Sequence, residues 1–190
     1  MVKKELIVLA AAAILALSNL AVASDVGFKG ANLRLGYVSP EGDIASAIGF
    51  GGGVDLGTLG KINSDIENIG WEAVIFYWSK SYDVGFRDWK YSDLAIKVNV
   101  KYNFPAQRVN PYVGAGLGIH MFSWEWERPP HHEFAYERFE RSDTKLGLQL
   151  LGGLQYPVSE KVGIFGELEF DLADPNQLMI SAGASMKFGQ

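Results

Sequence analysis

The stretch Asp93–Phe104, DLAIKVNVKYNF, alternates without a break. Leu94, Ile96, Val98, Val100, Tyr102 and Phe104 fall on one face; Asp93, Ala95, Lys97, Asn99, Lys101 and Asn103 fall on the other. Successive side chains of extended backbone point to opposite sides, so this period of two predicts a β-strand. One face is uniformly large and apolar. The other is small or polar, with charges spaced along it. Such a strand needs two different surroundings, one apolar and one able to pair charge.

The same pattern recurs on either side. Val162–Asp171 sets Val162, Ile164, Leu168 and Phe170 against Glu167, Glu169 and Asp171. Leu178–Phe188 sets Leu178, Ile180, Ala182, Ala184, Met186 and Phe188 against Ser181, Gly183, Ser185 and Lys187. Leu146–Tyr156 sets Leu146, Leu148, Leu150, Leu154 and Tyr156 against Lys145, Gly147, Gln149, Gly153 and Gln155. Looser versions run through Ala31–Val38, Ile44–Leu56, Ile69–Lys80 and Pro111–Ser123, which makes eight predicted strands. In Ile69–Lys80 the second face (Glu72, Val74, Phe76, Trp78) is not polar. Turn chemistry lies between strands at Ser39–Asp43, Pro105–Arg108, Pro157–Glu160 and Asp174–Asn176. Residues 79–90 and 124–143 read as connections, and Glu125–Asp143 is the one long loop.

The chain has 190 residues, 21% of them charged, with 22 glycines, no cysteine and a net charge of −5. Without disulfides and without a basic balance, neither a stapled mini-protein nor a nucleic-acid binder fits. Residues 1–23 open on Lys3 and Lys4, continue as the apolar run Leu6–Leu17 and end in Ala21-Val22-Ala23. That order predicts a secretory signal peptide, leaving residues 24–190 as one domain.

Two cylinders could carry this alternation: a soluble barrel with its apolar face inward, or a membrane barrel with that face outward. Volume favours the second, because eight strands enclose a lumen only just wide enough for side chains, and here the small residues belong to the polar face. The expected fold is therefore all-β, an eight-stranded antiparallel up-and-down transmembrane β-barrel. Its lumen network is predicted to comprise Arg34, Lys97, Lys101, Lys145 and Lys187 against Asp55, Glu72, Asp93, Glu167 and Glu169, since charge removed from water must be paired. A hairpin joining residues near 78 and 91 would place Glu72 opposite Lys97. Tyr37, Trp71, Tyr77, Trp78, Trp89, Tyr91, Tyr102, Phe104, Tyr112 and Phe188 lie toward strand ends and are expected in interfacial girdles. An even strand number puts both termini on the periplasmic side and the longest loop outside.

The glycine-laced Asn110–Ile119, the turn-bearing Leu35–Asp43, and Leu151–Val158 running into Val162–Phe170 carry a resemblance. Together they resemble the small outer-membrane β-barrel superfamily of OmpA-like, OmpX-like and OmpW-like proteins. The resemblance implies residence in the cell outer membrane, contact with its lipids and lipopolysaccharide, and recognition by the barrel-insertion machinery. Phe188 stands where that family often ends in an aromatic residue, here followed by Gly189-Gln190.

No catalytic, cofactor or metal site is predicted. Gly114-Ala-Gly-Leu-Gly118 lacks the spacing and the helix of a nucleotide fingerprint. His131-His132-Glu133 lacks a third ligand at useful spacing. His120 and Ser123 fall on opposite faces, and Glu167 with Glu169 reads as structural. The loop around Trp124, Trp126, Arg128, Phe134, Tyr136, Arg138 and Arg141 interleaves rings and charge, which suits contact with an extracellular ligand or lipopolysaccharide. A structural or surface-interaction role is the leading expectation. A narrow pore for small solutes or hydrophobic molecules, and a hydrolase or acyltransferase modifying lipid A, are the alternatives.

Overall fold

A computed structural model describes residues 27–42, 44–58, 68–84, 87–106, 108–128 and 137–188. The signal-peptide segment 1–23 lies outside the described residues, as do His131, His132, Phe134 and Tyr136. The strands are β1 (Gly30–Pro40), β2 (Ala47–Thr58), β3 (Ile69–Val84), β4 (Arg87–Asn103), β5 (Asn110–Arg128), β6 (Glu137–Pro157), β7 (Val162–Leu172) and β8 (Gln177–Lys187). They follow one another around a closed barrel, every neighbouring pair antiparallel. β1 pairs with β8 from Gly30↔Lys187 to Pro40↔Gln177, so no sheet edge is left around the cylinder. Closure satisfies the backbone donors and acceptors that hydrocarbon cannot.

The apolar faces point away from the axis. Leu33 is 74% exposed, Leu117 68% and Leu146 80%. On the other face Arg34, Lys97, Asn99, His120, Gln149, Glu167 and Glu169 are buried. Charged groups inside and aliphatics outside is the arrangement a bilayer selects and water does not.

Lumen-facing glycines make the interior fit. A Cβ on Gly116 would stand 2.0 Å from Asn99 Oδ1 and 2.6 Å from the Val98 carbonyl oxygen. The fifth strand's glycine pattern is therefore a clearance requirement, and it leaves room for the larger side chains of β4 and β6.

The strands are unequal. β1, β2, β7 and β8 have 11 or 12 residues, whereas β3 to β6 have 16, 17, 19 and 21. β2 leaves β3 at Trp78, and β7 leaves β6 at Leu148. Beyond those points β3, β4, β5 and β6 continue as a four-stranded sheet that projects from the barrel. This corrects the expectation of a connection at 79–90 and of one long loop over Glu125–Asp143. Barrels of this kind have short periplasmic turns and long extracellular segments, so the projecting sheet marks the outer end.

Register corrects a second expectation. β3 and β4 pair as far as Val84↔Arg87, which sets Glu72 against Asn99 and Lys97 against Val74. The hairpin turns one residue later than expected, and pairing therefore slips by two. An even slip keeps every side chain on its face but changes its partner.

Candidate functional site

The lumen contains two ionic clusters beneath an apolar plug. In the first, Arg34 of β1 reaches Glu72 at 2.6 Å and Glu167 at 2.9 Å. Lys101 of β4 meets the same two carboxylates at 2.6 and 2.9 Å. Tyr112 donates its hydroxyl to Glu167 Oε2 at 2.9 Å, and Asn32 donates to Glu72 Oε1 at 2.6 Å. Two cations and two anions from β1, β3, β4 and β7 thus close across the interior. A guanidinium suits this position because its planar fork serves two carboxylates at once.

Farther out, Lys97 pairs with Glu169 and, at 3.2 Å, with Asp171. His120 Nδ1 is 2.8 Å from Asp93 Oδ2, and its Nε2 is 2.8 Å from Asp171 Oδ2. Gln177 donates to Asp93 at 2.9 Å and accepts from the Trp78 indole at 3.0 Å. Trp78 belongs to the plug, where it packs with Val38, Ala47, Val74, Phe76, Phe122 and Met179. The apolar second face of β3 is thereby explained: Val74, Phe76 and Trp78 line the outer part of the lumen.

At the opposite end a cavity of about 130 Å³ has Glu72, Lys101, Asn32, Asn103, Tyr112, Gln155 and Ser185 in its wall. The first cluster forms its inner boundary.

Of the ten expected network residues, the structure brings seven into the lumen: Arg34, Glu72, Asp93, Lys97, Lys101, Glu167 and Glu169. Three stand elsewhere. Asp55 is exposed at a β-bulge between Asp55 and Gly57, where its carboxylate accepts the Gly57 N–H at 2.8 Å. Gly57 takes φ +91° there, a conformation suited to a residue without Cβ. Lys145 sits half-buried at the outer rim with Asp143 at 3.2 Å and Asp174 at 3.5 Å. Lys187 is exposed at the other end, on the wall of the cavity. Asp171, His120, Asn99, Gln149, Gln177 and Ser181 are buried polar groups, among the described residues, that charge counting missed; all but Gln177 lie on lumen faces of alternating segments.

The girdle expectation divides. Tyr37, Tyr102, Phe104 and Phe188 are exposed on the outer surface. Trp78 and Tyr112 instead point into the lumen, and Trp89 and Tyr91 belong to the projecting sheet.

That sheet reverses the barrel's polarity. On its outer face, Ser79, Ser92, Ser123 and Ser142 pair in one row across four strands. The next row outward is Ser81, Lys90, Glu125 and Glu140. On the axis-facing side one corresponding row is aromatic throughout and the other sets two rings between two cations. Tyr82, Trp89, Trp126 and Phe139 form one, and Lys80, Tyr91, Trp124 and Arg141 form the other. Their rings touch: Tyr82 stacks on Tyr91 at 5.8 Å, Trp126 on Phe139 at 6.4 Å, and the Arg141 guanidinium lies 6.0 Å over Trp124. Arg128 and Arg138 pair at backbone level with Glu137 and Glu127. His120 is buried in the lumen, whereas Ser123 lies on the outer face of the sheet, so the two do not form a nucleophile and base.

The outer-membrane protein β-barrel domain model matches residues 7–188. The chain belongs to that family. As a member of it, the protein resides in the outer membrane and crosses it with strands. Among solved structures, Neisserial surface protein A aligns with a TM-score of 0.59 and 19% identity, covering 86% of this chain and 99% of that one. Ail, the attachment invasion locus protein of Yersinia pestis, aligns at 0.56 and 14%, covering 84% and 95%. A structure of Ail in complex with the heparin analogue sucrose octasulfate aligns at 0.50 and 13%, with the same coverage. Identities this low establish a shared fold. Among curated proteins, none matches the chain.

Proposed function

We propose that the protein is a non-catalytic outer-membrane scaffold whose projecting sheet binds an anionic saccharide at the cell surface. The observation that carries this reading is the row Lys80–Tyr91–Trp124–Arg141. Two aromatic rings stand between two cations on the axis-facing side of the sheet. The three strand spacings separate the terminal cations' backbones by about 14 Å. A sugar ring presents an apolar face for the rings, and its sulfate, phosphate or carboxylate groups suit the cations. Tyr91 and Trp124 pack on the plug with part of their surface and are half-buried, and β1, β2, β7 and β8 end below them, so the face is open toward its outer end. Ail carries such a ligand in its complex with sucrose octasulfate; for the present chain the reading rests on its own residues.

The barrel's part in this proposal is rigidity. Ion clusters and plug fix β3 to β6 against the opposite wall, so the sheet meets its ligand already ordered and loses less entropy on binding.

The test is titration of the purified barrel in nanodiscs, followed by tryptophan fluorescence. One arm uses a sulfated oligosaccharide and another uses lipopolysaccharide, which separates an external polymer from the cell's own surface glycolipid. The double variant Lys80→Gln, Arg141→Gln is expected to weaken binding at least tenfold, and added salt to weaken the native protein. Equal affinity in native and variant barrels for both ligands refutes the proposal.

A further inference from the structure

The outer lumen cluster has an unequal charge count. Among the described residues it sets one lysine, Lys97, against three carboxylates, Asp93, Glu169 and Asp171. The fifth member is His120, fully shielded from solvent. Nδ1 makes a hydrogen bond with Asp93 Oδ2 at 2.8 Å, whereas Nε2 lies 2.8 Å from Asp171 Oδ2 as a charge contact, off the line of a hydrogen bond. A neutral imidazole has one N–H and one lone pair. A lone pair on Nδ1 would face the Asp93 oxygen, and an unprotonated Nε2 would stand beside the Asp171 oxygen, in a site already short of positive charge. Both carboxylates also have another donor or cation: Gln177 for Asp93 at 2.9 Å, and Lys97 for Asp171 at 3.2 Å. Those partners present donors and positive charge to the same oxygens that face the ring.

We infer that His120 stands in the folded barrel as an imidazolium, a buried cation that clasps β4 and β5 to β7 across the lumen and supports the plug from below. The surroundings are built for it. Gly147 of β6 leaves the space: a Cβ there would lie 2.5 Å from Asp171 Oδ1 and 3.1 Å from His120 Nε2. Phe122 of the plug stacks on the imidazole at 5.7 Å. Trp78, also of the plug, is joined to the clasp through Gln177 and Asp93. The charged groups around the ring are Asp93 and Lys97 from β4, Asp171 and Glu169 from β7, and Lys145 from β6. Lys145 is in register with His120 but has its ammonium on Asp143 and Asp174. Removing the ring proton leaves one cation, Lys97, against three carboxylates. Alkaline conditions therefore loosen the plug, a conformational response separate from any event on the projecting sheet.

The test uses nitrogen-15-labelled histidine in the detergent-solubilised barrel, observed by NMR at pH 7.5. The chain has three histidines, His120, His131 and His132, so His131→Asn, His132→Asn leaves His120 as the sole signal. The expected result is two ring N–H resonances, slow to exchange with water. A single protonated ring nitrogen, in either tautomer, overturns the inference. A second measurement follows urea unfolding against pH: the midpoint of the wild type falls as pH rises through loss of the proton, and that slope is reduced in His120→Gln. If His120→Gln does not fold, the two-resonance result on the histidine-depleted chain still decides.

Discussion

Arg34 and Glu167 are separated by 133 positions in the chain and by 2.9 Å in the lumen. This contact joins β1 to β7, strands that are not neighbours in the barrel; β8 lies between them. It acts as a strut across the interior, with Glu72 and Lys101 completing the crossing. Backbone pairing closes the cylinder, and these side chains hold its cross-section.

Glu167→Gln keeps the shape and removes one of the two anions that face Arg34 and Lys101. Two cations then share one carboxylate. Loss of one partner from a buried ion pair costs about 3–5 kcal/mol. Reversible urea unfolding from lipid vesicles is expected to show a loss of that order, whereas Glu160→Gln, exposed in a turn, is expected to change little. Equal midpoints for both variants would show that the crossing does not stabilise the barrel.

Gly116→Ala forces a methyl group into contact with Asn99 Oδ1 and the Val98 carbonyl. Backbone cannot yield as a flexible side chain can, so refolding yield is expected to fall sharply, read as loss of the folded band in a gel run without boiling. Gly152→Ala is the control, since its nearest atom is 3.7 Å away. Similar yields for the two would count against the clearance argument.

Much of the barrel was legible from period-two alternation, because two unlike surroundings imprint two unlike faces. Asp93–Phe104 and Val162–Asp171 carry this in full. What escaped was the continuation past Lys80 and Ser123. There the alternation persists, in Trp124-Glu-Trp-Glu and Phe139-Glu-Arg-Ser, but its sense reverses because the outer face meets water instead of lipid. A reading that follows apolar-out ends where the membrane ends. Individual lumen partners escaped for another reason: face follows from odd or even position, whereas partner depends on where the hairpin turns, and Glu72 shows the difference. Asp55 left the network through a bulge whose cue, Gly57, is one glycine among many. His120 had no distinguishing motif; its role comes from Asp171, on a strand two places away around the barrel.

The plug predicts electrical silence. In a planar bilayer the wild-type barrel is expected to show no sustained conductance, since Trp78, Phe76 and Phe122 are buried together at the outer end of the lumen. Phe122→Ala removes a ring from the plug, at a cost of about 3–5 kcal/mol if the site does not collapse, and is expected to produce discrete openings. Steady current through the wild type would mean that the plug does not seal.

Arginine substitution should report the change of surroundings along β5. Leu117→Arg places a charge in the lipid-facing band and costs about 2–4 kcal/mol near the bilayer midplane. Ser123→Arg lies on the same face, six residues on, in the serine row, and is expected to cost less than about 0.5 kcal/mol. Chemical unfolding in vesicles compares them directly. A penalty at Ser123 as large as at Leu117 would place the serine row inside the hydrocarbon.

The central claim is that one continuous strand faces lipid with its apolar side and, farther out, faces water with its polar side. Because the chain has no cysteine, single cysteines can be introduced along β5 and spin-labelled without background. Accessibility to oxygen and to a water-soluble nickel complex should be measured in bilayers at positions 115, 117, 119, 121, 123 and 125. The account predicts strong oxygen access through 117 and 119, then a crossover to nickel access at 123 and 125. Nickel access at 117 and 119, or no crossover along the strand, would contradict it.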